Sequence, residues 1–180
     1  MFKYVGDLSN IAQNVINTYI EDKAIAIDAT LGNGHDTDFL SKEFQKVYSF
    51  DIQEIAVENY KKKKRENVVL INDSHHKLRD YVREDVDCVM YNLGFLPGGD
   101  KTITTTWETT LKSIEAALEM IKSGGIITIG IYIGHNEGEN EGNKVLQFLE
   151  NLPKNKYGVL LHKFINRSKS APMLAIIEKK

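Results

Sequence analysis

One cysteine, Cys88, stands in a chain of 180 residues, so no intramolecular disulfide and no zinc site built on several thiolates can form. A reducing compartment follows. Proline is almost as scarce, with three in all, while 42% of residues are apolar, so the composition is neither disordered nor collagen-like. No apolar run approaches the roughly 20 residues of a membrane span. The opening stretch MFKYVGDLSN also lacks the apolar core of a signal peptide, and a cytoplasmic protein is expected. An excess of charge is missing too: 23 Lys and Arg against 25 Asp and Glu leave a net charge of −2. That balance removes the global electrostatic case for a nucleic-acid binder and leaves room only for a local patch. No repeat, low-complexity linker or break in composition divides the chain, so residues 1–180 are expected to form one domain.

What is present is a regular alternation. After the capping candidate Asp7, the residues Leu8, Ile11, Ala12, Val15, Ile16 and Tyr19 recur at three- and four-residue spacing, predicting a helix over about 7–20. Short apolar runs then end in polar residues: Ala24 to Ile27 in Asp28, Val47 to Phe50 in Asp51, Val68 to Ile71 in Asn72 and Asp73, Val86 to Tyr91 in Asn92. Helical patterns separate them, at Glu54 to Arg65, His75 to Tyr81 and Thr105 to Ile121. Gly124 and Gly125 introduce a fifth run, Ile126 to Tyr132, and a helix from about Glu139 to Glu150 follows. Five strands alternating with helices specify an α/β fold, a doubly wound parallel sheet covered on both faces. The ending differs: Tyr157 to Asn166 and Pro172 to Glu178, joined by a polar turn at Arg167 to Ser170, read as an antiparallel hairpin. The run of five positive charges from Lys61 to Arg65 suits a helix C-terminus.

The sharpest local feature is Asp28-Ala29-Thr30-Leu31-Gly32-Asn33-Gly34-His35-Asp36-Thr37 between the first strand and a helix. Gly32 and Gly34 allow positive φ and close approach of a ligand to the backbone, and the helix N-terminus offers free N–H groups. The third position after Gly34 is Thr37, so the turn is not a G-x-G-x-x-G dinucleotide fingerprint, and no Walker lysine follows. Asp51, about 20 residues on at the end of the second strand, can accept two ribose hydroxyls. Asp28, Asp51, Asp73 and Asn92 all end strands, and ligands of doubly wound sheets bind at those ends.

These residues resemble class I S-adenosylmethionine-dependent methyltransferases, whose Rossmann-like seven-stranded sheet is mostly parallel with a C-terminal antiparallel hairpin. More narrowly, the Gly turn, together with Asn92-Leu93-Gly94-Phe95-Leu96-Pro97-Gly98-Gly99-Asp100-Lys101, Tyr132-Ile133-Gly134-His135 and the closing Pro172 to Lys179, is similar to a small bacterial family labelled rRNA methylases. Members are associated with methylation of the aminomethyl group of a tRNA wobble uridine, from 5-aminomethyl-2-thiouridine to 5-methylaminomethyl-2-thiouridine. The resemblance implies S-adenosylmethionine as cofactor and no metal. Asp28, Thr30, Gly32, Asn33 and Gly34 would line its methionine side, with His35, Asp36 and Thr37 opening the helix below. Asp51 would hold the ribose, Gln53 would lie near the adenosine, Asp73, Ser74 and His75 by the adenine, and Asn92 at the methyl end.

The Asn92-Leu93-Gly94-Phe95 segment further resembles the Asn-Pro-Pro-Tyr motif of methyltransferases acting on nitrogens, in which an amide and a carbonyl accept from the amine and an aromatic ring stacks on the base. An aliphatic amine is largely protonated at neutral pH, so a proton must leave, and Asp100 and His135 are the named acceptors, with Tyr132 orienting the amine. Pro97, Gly98 and Lys101 would meet the RNA, and Arg167, with Lys163 and Lys169, would supply the basic patch against the anticodon loop of tRNA. The acidic stretch Glu137, Glu139, Glu141 reads as a loop opposing RNA. An apolar face on the first helix or around Trp107 would suit a homodimer. The alternatives are a methyltransferase acting on rRNA or a small molecule, a nucleotide-binding module without chemistry, and a nicotinamide enzyme.

Overall fold

A computed structural model describes residues 2, 4–94, 104–134 and 136–180, with the side chains of 136 and 137 left aside. In chain order the elements are α1 (Leu8–Tyr19), β1 (Ile25–Asp28), α2 (His35–Glu43), β2 (Lys46–Phe50), α3 (Glu54–Lys61) and β3 (Val68–Ile71). A 3-10 turn (His75–Lys77) then runs into α4 (Leu78–Tyr81), followed by β4 (Val86–Asn92), α5 (Trp107–Met120), β5 (Ile121–Ile131), α6 (Asn136–Glu150), β6 (Tyr157–Lys163) and β7 (Met173–Lys179). The strands form one seven-stranded sheet in the order β3-β2-β1-β4-β5-β7-β6. Pairing is parallel from β3 to β5 and antiparallel where β7 meets β5 and β6, as the hairpin pattern predicts.

Period-two burial explains why these runs become central strands. On β1, Ala26 joins the cluster under α1 and α2, whereas Ile27 joins the opposite one; on β4, Cys88 and Met90 face the first cluster, Val89 and Tyr91 the second. Ile11 and Ile16 of α1 and Leu40 of α2 seal the first face. Leu78 of α4, Ile114 and Ala117 of α5, and Val145 and Leu149 of α6 seal the second. Asp7 caps α1 by accepting the Ser9 N–H at 2.9 Å.

Several boundaries differ from the sequence expectation. α3 stops at Lys61 rather than Arg65, because adjacent like charges oppose helix and the chain turns through Lys64 at φ 50°, letting Lys63 reach Asp38. α5 begins at Trp107: Thr106 occupies the cap position, but its hydroxyl meets Thr109 at 3.1 Å instead of capping the helix. β5 begins at Ile121, and the register with β4 shifts between Val86 and Cys88 to accommodate Gly124 and Gly125. α6 begins at Asn136, which carries the predicted acidic loop into a helix. Among the described residues no helix is long and apolar enough to cross a membrane.

Candidate active site

Strand order reverses between β1 and β4, and at the C-terminal ends of these neighbours a cleft of about 900 Å³ opens. Its floor is the Gly turn. Leu31 N–H donates to the Phe50 carbonyl at 2.8 Å and Ala29 N–H to that of Met90 at 2.9 Å, pinning the turn to both adjacent strands. Gly32 and Gly34 adopt φ of 50° and 78°, as the sequence required. Gly34 serves packing rather than the cleft: a Cβ there would lie 2.2 Å from Cδ2 of Tyr60 on α3.

Three expected cofactor residues therefore sit beneath the cleft instead of lining it: Gly34, Asp28 and Thr37. The Asp28 carboxylate is fully buried, accepting from Thr30 N–H at 3.1 Å and from the Thr37 hydroxyl at 2.6 Å; Thr37 in turn meets Ser49 at 2.8 Å. Burial, and then the neighbouring Asp36 charge, push Asp28 up to about 7. Its strand-end position is as predicted, but its side chain turns inward to brace the glycine turn.

Asp51 performs the analogous task from above while still lining the cleft. Its two oxygens accept Gly32 N–H and Gln53 N–H, each at 2.8 Å, and burial raises its pKa despite both bonds. Asp73 is more fully engaged, by Lys77 at 2.9 Å, Tyr81 at 2.8 Å and Ser74 N–H at 2.7 Å, and the Lys77 and Tyr81 bonds hold it down at about 2. His75 beside it is buried; its carbonyl accepts from Ser113, whose hydroxyl also meets that of Tyr91, and its ring packs edge-on to Tyr91. Burial lowers His75 to about 4, so the ring is neutral, and its Nδ1 has no hydrogen-bond partner among the described residues. His75 lines the cleft together with Gly32 and Asp51.

At the other end of the cleft, Asn92 sits in a polar cluster. Its N–H donates to Thr30 Oγ1 at 2.7 Å and its Nδ2 to Asp36 Oδ2 at 2.5 Å, while Tyr132 donates to its Oδ1 at 3.5 Å. Gly130 makes room, since a Cβ there would lie 2.7 Å from Oδ1. Asp36 therefore fixes which way the carboxamide points. Asp36, Asp51 and Asp73 all line the cleft, and no Lys or Arg does among the described residues, so the site favours cationic ligands.

Beside Asn92, Gly94 N–H donates to Thr105 Oγ1 at 2.8 Å, and Thr105 N–H returns a bond to the Gly94 carbonyl at 3.1 Å. Glu141 of α6 completes this arrangement, accepting Thr105 at 2.7 Å and Thr110 at 2.6 Å. It is 2% exposed, which overturns its placing on an acidic loop. The signal was in the sequence: Glu141, Val145 and Leu149 recur every four residues on the buried stripe.

Of the remaining expected site residues, Thr30, Asn33, His35, Gln53, Ser74, Leu93, Gly94 and Tyr132 line the cleft. Phe95, Pro97, Gly98, Asp100, Lys101 and His135 lie outside the described residues. Arg167 is tied elsewhere: its guanidinium donates to the Val5 carbonyl at 3.0 Å and stacks 3.6 Å from the Phe164 ring centroid. The turn that carries it does reach the cleft, through Ser170, which sequence reasoning did not single out; nor did it single out Ser9, in the first turn of α1.

The family model described as "Putative rRNA methylase" matches residues 47–178. The tRNA (mnm(5)s(2)U34)-methyltransferase, chloroplastic, of Arabidopsis thaliana is 35% identical over 190 aligned positions, covering 96% of this chain and 69% of the plant protein. A Clostridium thermocellum structure with the same description as the family superposes with a TM-score of 0.93 at 37% identity, covering all of both chains. A Streptococcus mutans protein described as a methyltransferase, in complex with SAH, gives 0.89 at 35% identity, again covering all of both chains.

Proposed function

Because the chain belongs to this rRNA methylase family of class I S-adenosylmethionine-dependent methyltransferases, we propose that it methylates the aminomethyl nitrogen of 5-aminomethyl-2-thiouridine at the wobble position of tRNA. The observation that carries this reading is the Asn92 carboxamide, lining an acidic cleft with Nδ2 committed to Asp36. Its Oδ1 is left as an acceptor, which suits an amine donor rather than a hydroxylate or a carbon acid.

S-adenosylmethionine, when bound, supplies an electrophilic methyl group. Thr30, Gly32, Asn33 and His35 would hold its methionine side, Asp51 and Gln53 its ribose, and Ser74 with His75 its adenine. Asp28 and Thr37 keep the glycine turn in shape beneath it. Asn92 accepts a hydrogen bond from the substrate amine, so that the nitrogen lone pair faces the methyl group; orientation of this kind contributes much of the acceleration. Tyr132 braces the acceptor oxygen. The plant relative's name points to position 34 of tRNA, and exposed Lys169, next in the chain to cleft-lining Ser170, is assigned to a backbone phosphate. Phe95 is assigned to base stacking, and Pro97, Gly98 and Lys101 to RNA contact, on the sequence alone.

The test is incubation of the purified protein and S-adenosylmethionine with tRNA carrying 5-aminomethyl-2-thiouridine, with ribosomal RNA in a parallel reaction. Nucleoside mass spectrometry should find 5-methylaminomethyl-2-thiouridine in the tRNA. Methylated nucleosides arising only in the ribosomal RNA would replace this reading with the alternative substrate.

A further inference from the structure

An aliphatic ammonium has no lone pair to give, and the cleft must remove a proton before the amine can react. We propose that Asp36 is the proton acceptor for the substrate amine, a role that rests on the N-methylation reading above.

The placement of Asp36 carries the assignment. It stands in the first turn of α2, lines the cleft, and is 5% exposed. One oxygen accepts from Asn92 Nδ2; among the described residues the other receives a single long bond, 3.4 Å, from Gln13 of α1. A carboxylate has about four acceptor positions, so capacity remains on the oxygen away from Asn92. Asp36 and Asn92 line the same cleft, and their bond holds the carboxylate beside the carboxamide assigned to the amine. No Lys or Arg forms an ion pair with Asp36 among the described residues, so the incoming ammonium is its natural counterion. The titratable groups facing it are Asp28 on β1, Cys88 on β4, Asp7 ahead of α1, His35 on its own helix and Tyr132 beyond β5. Most of these are acidic, and burial raises the pKa of Asp36, making it a stronger base than a surface aspartate.

The step balances as follows. The N–H bond of the ammonium breaks, its electron pair staying on nitrogen, and the proton passes to the Asp36 carboxylate. The freed lone pair forms the new N–C bond as the S–C bond of the sulfonium breaks, that pair returning to sulfur. A secondary ammonium, a neutral thioether and a neutral Asp36 acid result, and the acid then loses its proton to solvent.

The experiment follows kcat from pH 6 to 10 for the wild-type protein, Asp36→Asn and Asp36→Glu, with tRNA bearing the free amine, alongside calorimetric affinity for S-adenosylhomocysteine. Asp36→Asn keeps the side-chain shape but cannot take a proton. At pH 7 its kcat should fall by roughly 100-fold or more, with S-adenosylhomocysteine affinity changed by less than about threefold. Its rate should then climb about tenfold per pH unit towards the pKa of the amine, where the wild-type rate is flat. Asp36→Glu should restore at least about tenfold of the loss and a flat profile. A deficit in Asp36→Asn equal at every pH, or no gain from Asp36→Glu even where Asp36→Asn folds poorly, overturns the assignment while wild-type turnover leaves the N-methylation reading intact. Absence of wild-type turnover on this tRNA, with S-adenosylhomocysteine bound, overturns both.

Discussion

The Thr105 hydroxyl donates to Glu141 Oε2 at 2.7 Å, and through that hydroxyl a side chain of α6 governs the position of Gly94, two residues from Asn92. Glu141→Ala would leave the Thr105 and Thr110 hydroxyls without this acceptor in a buried site, costing about 2–4 kcal/mol. Urea denaturation should register that loss. Glu141→Gln, with one acceptor oxygen, should recover roughly half of it. In the methylation assay the lost positioning should lower kcat more than it alters S-adenosylhomocysteine affinity, because Glu141 is not among the cleft-lining residues.

Gly34→Ala meets two separate penalties: a left-handed φ of 78° and a Cβ placed 2.2 Å from the Tyr60 ring. The single substitution should destabilise by about 3 kcal/mol or more. Adding Tyr60→Ala relieves the clash but not the backbone strain, so the Gly34→Ala penalty measured in that background should shrink to about 1 kcal/mol. An unchanged penalty there would show that Tyr60 does not set the constraint.

His75 and Asp28 impose opposite pH dependences on stability. His75 falls from 6.5 to about 4 on folding, so its contribution is complete above pH 6.5 and is lost as pH drops towards 4, up to about 3 kcal/mol. Asp28 rises from 3.8 to about 7, so its contribution is complete below pH 3.8 and is lost as pH climbs through 7; the raised Asp36 and Asp51 act in the same direction. The slopes partly cancel between pH 4 and 6.5 in the wild type. His75→Phe should make denaturation midpoints fall with rising pH across that range, and Asp28→Asn should tilt the profile towards rising midpoints.

Asp51 and Asp73 both lie just past strands, β2 and β3, and line the cleft, yet their substitutions should differ. Asp51→Ala unties Gly32 and Gln53 as well as removing the proposed ribose acceptor, and should weaken S-adenosylhomocysteine by about 100-fold in calorimetry. Asp73→Asn touches a carboxylate already engaged by Lys77 and Tyr81, and the loss should stay below about tenfold. Equal losses would mean that Asp73 releases those partners for the ligand.

Legibility followed periodicity. Runs such as Ala26-Ile27 and Cys88 to Tyr91 alternate between two cores, and that alternation is visible as an apolar stretch ended by an acid or amide. The glycine turn and the strand-end residues were legible because their backbone duties restrict residue type. The direction of a side chain was not: Asp28, the last residue of β1 and opposite Ser49, turns inward onto Thr37, whereas Asp51, one residue past β2, lines the cleft. Glu141 was misplaced because it was grouped with the acidic neighbours Glu137 and Glu139, although the helix expected over about Glu139 to Glu150 already carried it. Gly142 has its own reason to be there, as a Cβ would lie 2.8 Å from Ile131 and 2.9 Å from Ile133.

The sheet order has a consequence for how the chain is made. β7 lies between β5 and β6 but is translated after both, so β6 leaves the ribosome with no neighbour to pair with and β5 waits with one edge bare. Val159, Leu160 and Leu161 on β6 remain partly exposed even in the finished sheet. Until Met173–Lys179 emerges, that segment is an adhesive ribbon in a nascent chain, and the interval before the last strand slots in is when a chaperone is most needed.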